Sequence, residues 1–109
     1  MLSLEEFDKV NMRVGTIIEV GINKRAKKPA YKIKIDLGKE FGIKNSSAQI
    51  TDLYSIEELI GKQVIVVVNF APIRIADIKS EVRILGVDTK DGCVILSPER
   101  KVENGSKIF

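Results

Sequence analysis

Hydrophobic residues recur at every second position over much of this chain, and one continuous apolar run interrupts the alternation. The run is Val64 to Val68, five β-branched residues in succession, which suit a pleated strand and lose rotamer freedom in a helix. A strand with one wet face would alternate, so this run predicts a strand covered on both faces. Alternation marks Arg13 to Ile22, where Val14, Thr16, Ile18, Val20 and Ile22 interleave with Arg13, Gly15, Ile17, Glu19 and Gly21. Gly15 and Gly21 would let this first strand bend or approach a neighbour closely. In Tyr31 to Leu37, Tyr31, Ile33, Ile35 and Leu37 point one way and Lys32, Lys34 and Asp36 the other. A third, less regular strand is expected at Ile43 to Ala48. A fifth is expected at Glu81 to Val87, and a sixth at Cys93 to Ser97 behind an Asp91-Gly92 hairpin signal.

Two helix starts stand among the strands. Ser3 with Glu6, and Ser55 with Glu58, have capping-box spacing, and Leu2 with Phe7 and Tyr54 with Leu59 are placed as hydrophobic staples. Gly61 is a left-handed stop for the second helix. On the first helix Leu4, Phe7 and Val10 share a face that needs a surface to lie on. Ile108 and Phe109 at the other end predict a docked terminus. Periodicity by itself supports a small β-rich barrel. The order of strands, with one helix between the third and fourth, describes an all-β, OB-type five-stranded barrel with short helices and N- and C-terminal extensions.

The 109 residues suit a single domain, 1–109, and 44% hydrophobic with 30% charged residues is the balance of a folded globule. No apolar run approaches the roughly 20 residues that span a bilayer, and acids stand at the N-terminus where a signal peptide has bases, so a cytoplasmic protein away from membranes is expected. One cysteine, Cys93, and no histidine exclude an internal disulfide and a His/Cys zinc cluster; Cys93 falls in an apolar strand pattern and is expected to be a buried structural residue rather than a reactive thiol. Neither a metal nor a cofactor is expected. The net charge of +3 is unevenly spread: Lys24, Arg25, Lys27, Lys28, Lys32 and Lys34 lie in one stretch without an acid, leaving 12 basic against 15 acidic residues elsewhere. Such a field draws a polyanion to one side.

Catalysis finds little support. Without histidine a serine or cysteine nucleophile lacks its usual base, and adjacent strand residues such as Lys79 and Ser80 point to opposite faces. Neither a phosphate-binding Gly-rich loop nor a dinucleotide fingerprint is present. Nucleic-acid binding fits better. An OB-type barrel meets oligonucleotides with strands two and three and with the loops joining strands one to two and four to five. Lys24, Arg25, Lys27 and Lys28 fall in the first loop, Lys32 and Lys34 on strand two, and Arg74 and Lys79 in the second loop. Tyr31 is in phase with buried positions, Phe70 adjoins the apolar run, and Phe7, Tyr54 and Phe109 have packing roles, so no ring is left as a stacking platform. A folded RNA met through phosphates and riboses is therefore expected.

The segment NFAPIRIADIKSEVRILG, Asn69 to Gly86, resembles the strand, loop and strand signature of the CsaA-type tRNA-binding proteins. That family is related to the tRNA-binding domains appended to some aminoacyl-tRNA synthetases and to the endothelial monocyte-activating polypeptide. FGIKNSSAQIT (Phe41 to Thr51), RVGTIIEV (Arg13 to Val20) and NGSKI (Asn104 to Ile108) resemble it too, so the likeness covers nearly the whole chain. The resemblance implies structure-specific, largely sequence-independent binding of tRNA, and a homodimer built with the terminal extensions. It implies RNA contacts at Lys32, Lys34, Ser46, Ser47, Gln49, Asn69, Arg74, Lys79 and Ser80. The cations would neutralise phosphates, Arg74 as a two-pronged contact, and the hydroxyls and amides would address ribose or base edges. For Ser46, Ser47 and Asn69, hydrogen bonds to loop backbone are an equal alternative.

The resemblance also implies a rival function, a molecular chaperone for unfolded or exported polypeptides, and a further partner, an aminoacyl-tRNA synthetase on which the module docks. Many members carry a second basic residue at the position of Ile73 and glycine at that of Asp77. Here the loop has lost a charge and gained an acid, and the KRAKK run, Lys24 to Lys28, is expected to compensate.

Overall fold

The alternation of Tyr31 to Leu37 carries over directly into the computed structural model, which describes residues 1–24, 27–75 and 78–109. In chain order the elements are α1 (Leu4–Asp8), β1 (Met12–Ile22), β2 (Tyr31–Asp36), α2 (Gly38–Phe41), β3 (Ile43–Ala48), α3 (Ile56–Leu59) and β4 (Gln63–Val67). The hairpin β5 (Ile73–Ile75) and β6 (Ile78–Ser80) follows, then β7 (Arg83–Ile84), β8 (Gly86–Thr89) and β9 (Gly92–Ile95). Five strands form one antiparallel sheet in the order β3-β2-β1-β4-β7. Ile33 and Ile35 of β2 point inward with Ile17, Val64 and Val66, while Lys32 and Lys34 are exposed.

The sheet curls until its far edges nearly meet. The Asn45 carbonyl on β3 accepts the backbone N–H groups of Glu81 (2.8 Å) and Val82 (3.4 Å), and the Asn45 N–H donates to Glu81 Oε1 (3.1 Å). Ser46, only 1% exposed, donates its hydroxyl to the Val82 carbonyl at 2.8 Å. The result is a nearly closed five-stranded antiparallel barrel, as the strand order predicts. A small hydroxyl stands on β3 because a bulky side chain would hold the seam open and leave the Val82 carbonyl without this donor.

β1 departs from simple alternation. Ile17 pairs with Ile35 and Glu19 with Lys34, so Ile18 is an extra residue without a partner. This bulge puts Ile17 in the core at 0% exposure and Ile18 on the surface at 42%, reversing the phase expected from the sequence. Gly15 is needed for contact: a Cβ there would lie 2.5 Å from Ile35 Cγ2 and 3.0 Å from the Asp36 carbonyl.

The fifth strand expected at Glu81 to Val87 is broken. Arg83–Ile84 pairs with β4, after which Gly86–Thr89 leaves the barrel to pair with β9 across the two-residue turn Lys90-Asp91, one position before the expected Asp91-Gly92, since Gly92 is already paired with Thr89. The connection after β4 is a hairpin, β5 with β6, rather than an irregular loop.

Both capping boxes are present. Glu6 N donates to Ser3 Oγ and Ser3 N to Glu6 Oε1, with the same reciprocal pair between Ser55 and Glu58. The C-terminal segment docks through its backbone. Where β2 ends, it continues along β1, with Gly105 N donating to the Val14 carbonyl (2.7 Å) and Ile108 N to that of Met12 (3.0 Å). The Arg13 guanidinium donates to the Gly105 carbonyl and lies 4.9 Å from the centre of the Phe41 ring. Phe109 itself is 98% exposed and makes no use of the packing role expected for it. Leu2, Leu4 and Val10 beside α1 are exposed as well.

Two outcomes follow from the seam and the second cap. Ser46→Ala removes the shorter of two hydroxyl donors to the Val82 carbonyl, the other being Ser80 at 3.4 Å, and should lower unfolding free energy by about 0.5 to 1.5 kcal/mol, read as a lower urea midpoint at unchanged slope. The Ser55 backbone N–H, and after it the Ser55 hydroxyl, hold the Glu58 carboxyl below its ordinary pKa. A depressed carboxylate stabilises the fold above its unfolded-state pKa and ceases to do so as the pH falls through the lowered value. Glu58→Ala should therefore melt below the parent protein at neutral pH, and the gap should narrow as the pH falls through the lowered carboxyl pKa.

Candidate nucleic-acid interface

Between the β1–β2 loop and the β5–β6 hairpin runs an open groove of about 980 Å³. Lys27 and Lys28 line it from the loop, Ser47 and Gln49 from the end of β3, Arg74 from the hairpin and Arg83 from β7. Its floor is apolar, with Ile50 and Ile95 beside Cys93, which is half-buried rather than fully buried as expected, and Asp88 contributes one acid. The two walls are tied together at their bases. Asn23, 4% exposed, donates its side-chain N–H to the Ile75 carbonyl (3.4 Å), while its backbone N–H donates to the Ala30 carbonyl (2.9 Å) and closes the loop.

The remaining predicted residues separate into three groups. Lys79 is paired with Arg74 across the hairpin, so both side chains leave the same face. Lys32 is paired with Ser47 and Lys34 with Asn45, which puts both lysines on the outer face of β2 beside the groove. Lys34 lies 3.7 Å from Glu19 in an exposed pair, a contact of small energy that leaves the local field only partly offset. Lys24 is exposed but does not line the groove. Arg25 lies outside the described residues, as does Asp77.

Ser46, Ser80 and Asn69 have structural duties. Ser46 is buried in the barrel seam. The Ser80 hydroxyl, also buried, accepts from Ser47 N (3.3 Å) and lies 3.4 Å from the Val82 carbonyl as its donor. Asn69 accepts from Asn11 N (3.0 Å) and donates to the Lys9 carbonyl (2.6 Å), fastening the end of β4 to the chain that follows α1. Ser46 is thus withdrawn from the candidate surface by burial, and Asn69 has its amide committed to backbone.

Two residues were not picked out by sequence reasoning. Arg83 was absorbed into an alternating strand, although its polar position between Val82 and Ile84 marks it as outward-facing. Phe70 was assigned to packing because it follows the apolar run, yet it is 55% exposed. A ring therefore does stand free of the core, contrary to the expectation that none would.

Among the described residues no helix is long and apolar enough to cross a membrane, and no group of three or more His, Cys, Asp or Glu is placed to hold a metal ion. With lysines and arginines around an open, partly apolar trough, the arrangement can take up an extended or folded polyanion by neutralising its phosphates.

Known proteins share both sequence and architecture with this one. It is 50% identical to the CsaA chaperone protein from Picrophilus torridus and superimposes on that crystal structure with a TM-score of 0.95, all of both chains being covered. For the CsaA chaperone from Bacillus anthracis the identity is 44% and the TM-score 0.92, over 100% of this chain and 99% of the other. The methionine-tRNA ligase of Methanococcus vannielii is 40% identical over 99% of this chain, which spans only 16% of that enzyme. The model of the putative tRNA binding domain matches residues 12–107, and the chain belongs to that family.

Proposed function

We propose that residues 1–109 act as one non-catalytic unit in the cytoplasm that binds folded tRNA by its shape. The observation that carries this reading is the single groove onto which the β1–β2 loop and the β5–β6 hairpin both converge, with Lys27 and Lys28 on one wall and Arg74 on the other. Lys32, Lys34 and Lys79 extend the positive rim, so a ribose-phosphate backbone lying along the groove meets cations on both sides. Ser47 and Gln49 at its edge supply short polar groups for ribose hydroxyls or base edges. Membership of the tRNA-binding domain family, and the matching segment of methionine-tRNA ligases, support the same partner, and an aminoacyl-tRNA synthetase is a further protein on which the module would dock.

Fluorescence anisotropy with labelled tRNA across a salt series tests the groove. Each duplex phosphate contact contributes about 0.9 to the slope of log affinity on log salt. The double variant Lys27→Ala, Lys28→Ala should therefore bind more weakly and flatten that slope by about 1.8, on the same basis. An unchanged slope would remove the β1–β2 loop from the interface.

The exposed apolar residues at the start of β1 support a homodimer. Leu2, Leu4 and Val10 lie on or beside α1, and Phe109 follows Ile108, whose N–H is bonded to Met12 at the start of the same strand. A second copy would cover this end and present two grooves. Light scattering after size exclusion should give about twice the 12.1 kDa of one chain, and Leu4→Glu should bring the mass down to that of one. The CsaA neighbours are described as chaperones, and these same apolar residues are what an unfolded or exported polypeptide would meet. Binding of that kind would show little dependence on salt.

A further inference from the structure

On the other side of the β5–β6 hairpin a second, smaller hollow of about 250 Å³ opens beside the groove. Phe70 and Ile73 form an apolar wall, Ser47, Ser80 and Glu81 bring polar atoms, and Arg83 completes it. Ser47, Ile75 and Arg83 line both the groove and this hollow, so the two are continuous. We propose that the hollow is a pocket for one unpaired nucleobase of the bound RNA, stacked on the Phe70 ring, while the backbone on either side of it stays in the basic groove. This inference rests on the RNA-binding reading and adds to it a contact made by a base rather than by phosphate.

Three features select this occupant. The hollow is smaller than the roughly 300–1,000 Å³ of sites for larger organic ligands, and so admits a single flat heterocycle. The Phe70 ring, 55% exposed on the wall of a hollow that opens into a charged groove, offers a face against which any base can lie. Arg83, shared between the two hollows, stands where the phosphate attached to such a base would pass from one to the other, and its planar guanidinium suits either phosphate or base. Beyond the hollow the apolar floor of the groove lies among Lys27, Lys28, Arg74 and Arg83, cations that a phosphate backbone would use and an apolar polypeptide would not.

The test uses the full chain and an RNA hairpin with one 2-aminopurine in an unpaired 3′ tail. The parent protein should bind the hairpin and quench the 2-aminopurine. Phe70→Leu, which keeps an apolar side chain and removes the ring, should bind about tenfold more weakly, lose the quenching and keep the salt slope, whereas Phe70→Trp should restore both affinity and quenching. Equal binding and equal quenching by parent and Phe70→Leu would overturn the base pocket and leave the groove standing. Failure of the parent protein to bind the hairpin or tRNA at all would overturn both readings. A halved molar mass in Phe70→Leu would place the ring between two copies of the chain, and displacement of the hairpin by an unfolded apolar polypeptide would give the hollow to protein; either result overturns the assignment.

Discussion

A five-stranded sheet has two edges, and each edge carries a row of backbone groups that water or another chain would otherwise have to satisfy. In this chain the edges are brought together at one place, where Asn45 and Ser46 on β3 meet Glu81 and Val82. That seam determines more than closure. Glu81 and Val82 link the β5–β6 hairpin to β7, so anchoring them and Ser80, the last residue of β6, to β3 sets the height and direction of the hairpin over the barrel. The second wall of the groove is therefore positioned by backbone hydrogen bonds a few residues from Arg74 and Lys79. Cations carried this way keep their spacing before any polyanion arrives, which limits the ordering cost of binding.

The same economy appears on β2. Its inward residues, Tyr31, Ile33 and Ile35, build the core, and its outward residues, Lys32 and Lys34, extend the positive rim, so core packing and charge display use one strand and its two faces. Buried polar groups are tolerated where they fasten one segment to another. Asn23 ties the basic loop to the hairpin, and Tyr31 donates its hydroxyl to the Tyr54 carbonyl (2.8 Å), while the Tyr54 hydroxyl accepts from Ile95 N (3.1 Å) and links α3's approach to β9. At the far end, Gly38 and Gly105 interlock: both have positive φ, and a Cβ on either would press within 2.7 Å of a carbonyl in the other's segment. The groove and the apolar end are thus built on separate parts of one rigid core.

Much of this architecture could be read from side-chain period and short motifs, because those signals are local. The two capping boxes, the Gly61 stop, the turn between Thr89 and Gly92 and the bounds of β3 all depend on residues a few positions apart. The candidate interface was legible to the extent that charge had gathered in two loops. What escaped was non-local. Nothing near Ser46 announces that its hydroxyl will face Val82, 36 residues on, and nothing near Asn69 announces Lys9. Arg83 and Phe70 were misjudged because their neighbours in sequence are apolar, whereas their exposure is decided by the break between β7 and β8 and by the hairpin that turns away after β4. The phase of β1 was misread for a related reason, since a bulge is a property of the pairing and not of either strand.

That bulge gives β1 an unusual latitude. On every other strand of the barrel, gain or loss of one residue would send all that follows to the opposite side of the sheet. At Ile18 the ladder already holds one residue without a partner, so a homologue lacking it would run Ile17, Glu19, Val20 against Ile35, Lys34, Ile33 with no side chain exchanged between interior and exterior. Length variation among related chains is accordingly tolerable at this point of β1, and what such a chain would forfeit is part of the curvature that lets the strand wrap around the core.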